Sequence, residues 1–122
     1  MSSPNAYRVI TQAAWRLAER DGHVSPSPLD QRDGFIHLST SETMLETARL
    51  YFAVDDAPLI LELSTEALGP ALRWEAVAAR GGLRFPHLYA PRLPLSALVA
   101  LIELKVEGGQ LSLGERVAYS AE

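Results

Sequence analysis

A chain of 122 residues, 48% hydrophobic and 21% charged, is sized and balanced for one globular domain with a modest core. The absence of cysteine excludes a disulfide framework, thiol catalysis and a cysteine-rich zinc site, and a net charge of −4 argues against nonspecific nucleic-acid binding. No apolar run approaches the roughly 20 residues of a membrane helix, and the N-terminus lacks the basic and apolar regions of a signal peptide. A cytoplasmic protein without a membrane partner is expected.

Residues 7–10, Tyr-Arg-Val-Ile, read as an opening strand. Thr11 then caps a helix to about residue 21, with Ala14, Trp15 and Ala18 on one apolar face and Gly22 at its end. Residues 23–33 hold Pro26, Pro28 and two serines and read as a surface loop, with His23 exposed. Residues 34–38 form a strand that runs into Ser39-Thr40-Ser41-Glu42. That run is a capping box in which the Ser39 hydroxyl accepts from the Glu42 amide. The helix it opens extends to about Phe52, turning Met44, Leu45, Ala48 and Tyr51 or Phe52 inward.

Residues 55–58 make a turn, and residues 59–63 a strand with one carboxylate, Glu62, in its middle. Residues 65–68 give a helical turn closed by Gly69-Pro70. Residues 71–78 give a strand carrying Arg73-Trp74-Glu75, with Trp74 in the core. Gly81-Gly82 loosens the loop ahead of Phe85-Pro86-His87, as a lid or binding loop requires. Residues 95–106 give a short turn and a long apolar strand, either buried or a dimer edge, and Gly108-Gly109 turns it back into residues 111–118. The fold class is α+β: one domain over residues 1–122 with its core at about 7–118, a mainly antiparallel sheet and two or three flanking helices. A monomer or weak homodimer is expected.

The segment Gly34-Phe35-Ile36-His37-Leu38-Ser39-Thr40 is nearly repeated by Phe85-Pro86-His87-Leu88-Tyr89: aromatic, any residue, His, Leu, hydroxyl. Alternation along a strand puts Phe35, His37 and Ser39 on one face, and Phe85, His87 and Tyr89 on another. Two of the three histidines occupy these matched settings, which suits one shared pocket. His37 precedes a helix N-terminus with the hydroxyls of Ser39, Thr40 and Ser41, a seat for phosphate or carboxylate. The plainer alternative is a half-buried histidine bonded to a backbone carbonyl.

His87 follows Pro86, which drives Phe85 into an extended conformation and so fixes where the histidine points. A packed aromatic loop is its plainer alternative. Arg73 and Glu75 share a face, either as solvated charges or as a site in which Glu75 binds a sugar hydroxyl or stabilises an oxocarbenium-like centre. No phosphate-binding loop, dinucleotide glycine fingerprint, nucleophile elbow or helical metal spacing is present. Ten of the eleven basic residues are Arg, with Lys105 the exception, a bias that accompanies the high Ala content.

Taken in order, Tyr7-Arg8-Val9, Trp15, the His37 and His87 segments and Arg73-Trp74-Glu75 resemble the family called domain of unknown function 952, over residues 7–104. The resemblance implies an ADP-ribosyltransferase-like fold that cradles NAD in a split antiparallel sheet. It further implies Arg8 holding the adenosine-side ribose, His37 with Ser39 framing the nicotinamide side, and Glu75 or His87 at the reacting ribose. The resemblance also implies that many relatives carry His at the position of Arg8.

The expected site is a pocket of His37, Glu75 and His87, with Arg8, Ser39, Thr40, Arg73 and Tyr89 binding the ligand. No tightly bound cofactor is expected, and NAD enters as a substrate. The expected function is an ADP-ribosyltransferase-like enzyme on NAD or a related compound. The alternatives are a nucleotide- or metabolite-binding module and a histidine-based acid/base enzyme on a small anionic metabolite.

Overall fold

The computed structural model describes residues 5–119. Its larger sheet is antiparallel, in the order β1-β4-β8-β9, from strands Ala6–Ile10 (β1), Leu59–Leu63 (β4), Leu98–Glu107 (β8) and Gln110–Ala118 (β9). β4 is buried along its whole length because both faces are covered. Leu59, Leu61 and Leu63 enter a core with Trp15 and Ala18 of helix Gln12–Asp21 (α1) and with Leu88 and Leu93. Ile60 faces the other way, against Met44 and Ala48 of helix Met44–Tyr51 (α3) and against Ile102 and Leu111. Two apolar faces on one strand explain why β4 reads as a nearly unbroken apolar run.

A smaller antiparallel sheet, β3-β6-β5, comprises Ile36–His37 (β3), Leu83–Leu88 (β6) and Leu72–Val77 (β5). A third pairing joins His23–Val24 (β2) to Leu93–Pro94 (β7). The two larger assemblies meet edge to edge at a single bridge. There the Tyr7 amide donates to the Ser39 carbonyl at 2.9 Å, and the Ser39 amide to the Tyr7 carbonyl at 2.6 Å. The remaining helices are Pro28–Asp33 (α2) and Thr65–Leu68 (α4). No described helix is long and apolar enough to cross a membrane.

The mixed single domain with antiparallel sheets agrees with the sequence reading, as do α1 with its Thr11 cap and the turn at Gly108-Gly109. Several details differ. Residues 23–33 are not one loop: His23 is half-buried in β2, and Ser27 caps α2 in a reciprocal capping box with Asp30. Pro28 occupies the first helical turn, where its missing N–H costs nothing. The Ser39–Glu42 capping box does not form. Instead Ser39 pairs with Tyr7 through its backbone, its hydroxyl bonds Thr47, and α3 begins only at Met44.

Tyr51 is exposed, leaving Phe52 as the inward aromatic of the pair. Trp74 is at the surface rather than in the core, because β5 is the outer strand of the small sheet. Gly81-Gly82 is the tight turn of the β5–β6 hairpin rather than a loosened loop, and the Phe85-Pro86-His87 segment is strand, as its alternation predicts, which removes the packed-loop alternative. β8 is bonded on both sides, by β4 and β9, which removes the dimer-edge alternative for that strand.

Gly34 ends α2 in the left-handed region, at φ +84°, and delivers the chain to Phe35 and His37. A Cβ there would touch nothing within 4 Å, so the cost of Gly34→Ala is backbone strain alone. The expected loss is about 1 kcal/mol in urea unfolding, and an unchanged midpoint would refute it.

Candidate functional site

The near-repeat in the sequence is a strand pair in space. β3 lies antiparallel to β6 with His37 directly opposite His87, and β5 adds Arg73 opposite His87 and Glu75 opposite Phe85. Directly opposed residues share a face, so His37, His87, Arg73, Glu75 and Phe85 stand on one side of the small sheet. The imidazole centroids are 5.9 Å apart, and Phe35 fills the space around them. Its ring stacks on His87 at 4.0 Å and leans on His37 at 4.6 Å and on Tyr89 at 5.4 Å.

Each histidine is aimed by a carboxylate at Nδ1. His87 is 6% exposed, and its Nδ1 lies 2.8 Å from Glu75 Oε1. An ionised carboxylate only accepts, so this nitrogen donates. Glu75 Oε1 also accepts from the Tyr89 hydroxyl at 2.7 Å. These bonds, Tyr89 first and His87 second, hold the Glu75 carboxyl below its ordinary range. Among the described residues His87 Nε2 has no hydrogen-bond partner, and it is not one of the buried unpaired atoms, so it meets solvent. A nearly buried imidazole thus presents one open nitrogen, backed by a carboxylate. Arg73 is exposed, lies over the Tyr89 ring at 4.9 Å and makes no ion pair among the described residues.

His37 is held from α2. Its Nδ1 lies 2.7 Å from Asp30 Oδ1 and its Nε2 lies 2.8 Å from Asp33 Oδ2. Asp30, 2% exposed, also accepts from the His37 amide at 3.0 Å and from the Ser27 amide at 2.8 Å. Arg8 completes the cluster, donating Nη2 to Asp30 at 2.7 Å and Nη1 to the His37 carbonyl at 2.8 Å. Burial alone would raise the Asp30 carboxyl. The bonds from His37 and Arg8, the Arg8 charge and the Ser27 amide overcome it and hold the group well below the usual range.

The structure therefore brings His37, Glu75, His87, Arg73 and Tyr89 together, while Arg8, Ser39 and Thr40 are engaged in bonds that hold the frame. Arg8 spends two guanidinium nitrogens on Asp30 and the His37 carbonyl, and its Nε is buried without a partner. The Ser39 hydroxyl donates to Thr47 Oγ1 at 3.0 Å, and the Thr40 hydroxyl lies 2.9 Å from that of Thr43.

The family model described as "Protein of unknown function (DUF952)" matches residues 9–101. The chain belongs to the DUF952 family. It is similar to protein CC0527 from Caulobacter crescentus, whose X-ray crystal structure is 37% identical over 88% of this chain and 93% of that chain, with a TM-score of 0.79. The solution NMR structure of CC0527, also 37% identical, covers 88% of this chain and 90% of that chain with a TM-score of 0.72. Among curated proteins none matches.

Two residues of this DUF952 chain escaped the sequence reading. Asp30 and Asp33 carry the His37 side of the cluster, and both lie in the segment read as loop. A local signal for the first existed: Ser27 three residues before Asp30, with Pro28 between, is a capping-box spacing with Pro in the first turn. Nothing local announces that the same carboxylate also receives Arg8 from β1 and His37 from β3.

Proposed function

We propose that the paired-histidine face is an acid/base catalytic site for a small phosphorylated metabolite, with ADP-ribosyl compounds, NAD among them, as its first candidates. The observation that carries this reading is the solvent-reaching Nε2 of His87, in an imidazole whose Nδ1 is fixed by Glu75. Such a nitrogen takes a proton from an attacking hydroxyl or water while the carboxylate stabilises the resulting imidazolium. His37, directly across the strand pair, returns a proton to the leaving group once Asp33 releases its Nε2. Arg73, with no carboxylate partner among the described residues, meets the negative charge of the ligand.

Two features favour ADP-ribosyl compounds within that class. The larger and smaller sheets are distinct hydrogen-bonded sheets joined by one backbone bridge, an arrangement compatible with the split antiparallel sheet that the resemblance implies. Glu75 Oε2 has no hydrogen-bond partner among the described residues, which leaves one carboxylate oxygen for a ribose hydroxyl. Arg8 fits less well as the ribose holder, because Asp30 already engages it.

An NMR titration of the histidine ring signals with NAD, ADP-ribose and nicotinamide tests the reading. Saturable shifts at His37 and His87 with ADP-ribose are expected, followed by turnover of one ligand that His87→Ala abolishes. Shifts without turnover would mark a binding module. No shift at millimolar ligand would sink the ADP-ribosyl assignment.

A further inference from the structure

The two outward nitrogens of the histidine pair are unequal. His87 Nε2 is open, whereas His37 Nε2 is covered by Asp33 at 2.8 Å. The two carboxylates on His37 differ just as sharply. Asp30 is buried, sits inside a capping box and is gripped by Arg8, so it is part of the frame. Asp33 is the last residue of α2, its side chain 28% exposed, with Arg32 and His37 as its hydrogen-bond donors. A negative charge at a helix C-terminus faces carbonyl oxygens, which disfavour it there. Arg32 is itself exposed and is the immediate chain neighbour of Asp33, so it holds the carboxylate only loosely. Asp33 therefore stands in the one position on His37 from which it can leave without breaking the cluster.

We infer that the Asp33 carboxylate is a built-in stand-in for a ligand phosphate, occupying the Nε2 of His37 until an incoming phosphate displaces it. This rests on the acid/base reading of the site and adds to it a seat for the phosphoryl group. Displacing Asp33 frees His37 Nε2 as a donor to the phosphate, on the sheet face that also carries Arg73, a cation with no ion-pair partner among the described residues. The Asp33 contact also gives the resting protein a reason to hold His37 in its working orientation when no ligand is present. The same carboxylate competes with weakly charged ligands and so favours those with a full phosphate.

The test is the affinity of the full chain for inorganic phosphate, read from the His37 and His87 ring signals, in wild type, Asp33→Asn and Asp33→Ala. Asp55→Asn, which removes an exposed carboxylate elsewhere, controls for net charge. Both Asp33 variants are expected to bind phosphate about fivefold more tightly, the worth of one exposed charge pair, and Asp55→Asn to bind like wild type. Binding by the Asp33 variants where wild type shows none supports the inference equally. Equal or weaker binding by the variants, or the same gain from Asp55→Asn, overturns the stand-in role and leaves the acid/base reading in place. Absence of phosphate binding in all four proteins overturns both.

Discussion

Replacing Asp30 with alanine is expected to cost about 3–5 kcal/mol of stability at pH 7, read as a fall in the urea midpoint at unchanged slope. The change removes the acceptor of Arg8, whose side chain is 11% exposed, and leaves a guanidinium uncompensated inside the protein. It also removes the acceptor of the His37 amide and ring and opens the Ser27 cap. The pH dependence has a definite sign. The folded carboxyl is held well below its ordinary value, so its contribution is complete above about pH 5, where the unfolded chain is ionised too. As the pH falls below about 4, the unfolded chain takes up a proton that the folded one refuses, and stability drops. Asp30→Ala lacks that term, so the gap between the two proteins narrows from about pH 4 to pH 2. A gap that stays constant over this range would mean that the ionised carboxylate is not what the native state binds.

His87→Ala is expected to lower turnover of the ligand found by titration by about 10²–10⁴, the range for loss of a positioned general base, and to lower the unfolding midpoint as well, because a nearly buried ring stacked on Phe35 is lost. Glu75→Gln should do less harm. It keeps the shape but offers an amide where His87 Nδ1 now meets a carboxylate, which turns the ring toward the wrong tautomer. Because Tyr89 and His87 hold the Glu75 carboxyl below its ordinary range, wild-type activity should show no acidic limb near the usual glutamate value. A folded His87→Ala protein with wild-type turnover would remove this residue from the chemistry.

The parts of the fold legible in the sequence are those decided locally. α1 has its cap, its apolar spacing and a left-handed glycine at the end. β4 and β8 have apolar runs bounded by turn residues, β9 follows from the Gly108-Gly109 turn, and the matched histidine segments are neighbouring strands. What stayed hidden was decided by tertiary partners. Ser39 and Glu42 have capping-box spacing, but the Ser39 backbone is claimed by Tyr7 and its hydroxyl by Thr47. Pro26 and Pro28 mask α2, because Pro28 initiates the helix where it was read as a breaker. Asp30 and Asp33 gain their roles only when β1 and β3 arrive beside α2, and no spacing along the chain carries that information.

The bridge between Tyr7 and Ser39 is where the backbone of β1 is tied to the segment that leads out of β3. Two backbone bonds are a thin seam, and the Arg8 guanidinium from β1 bolts it shut by gripping Asp30 and the His37 carbonyl. Because the folded Asp30 carboxyl is held well below its ordinary range, mild acid leaves that bolt in place. The two sheets are tied by a shared core as well, since Ile36 and Leu88 pack with Leu59, Leu61 and Leu63, so the histidine face is expected to be lost together with the larger sheet rather than ahead of it.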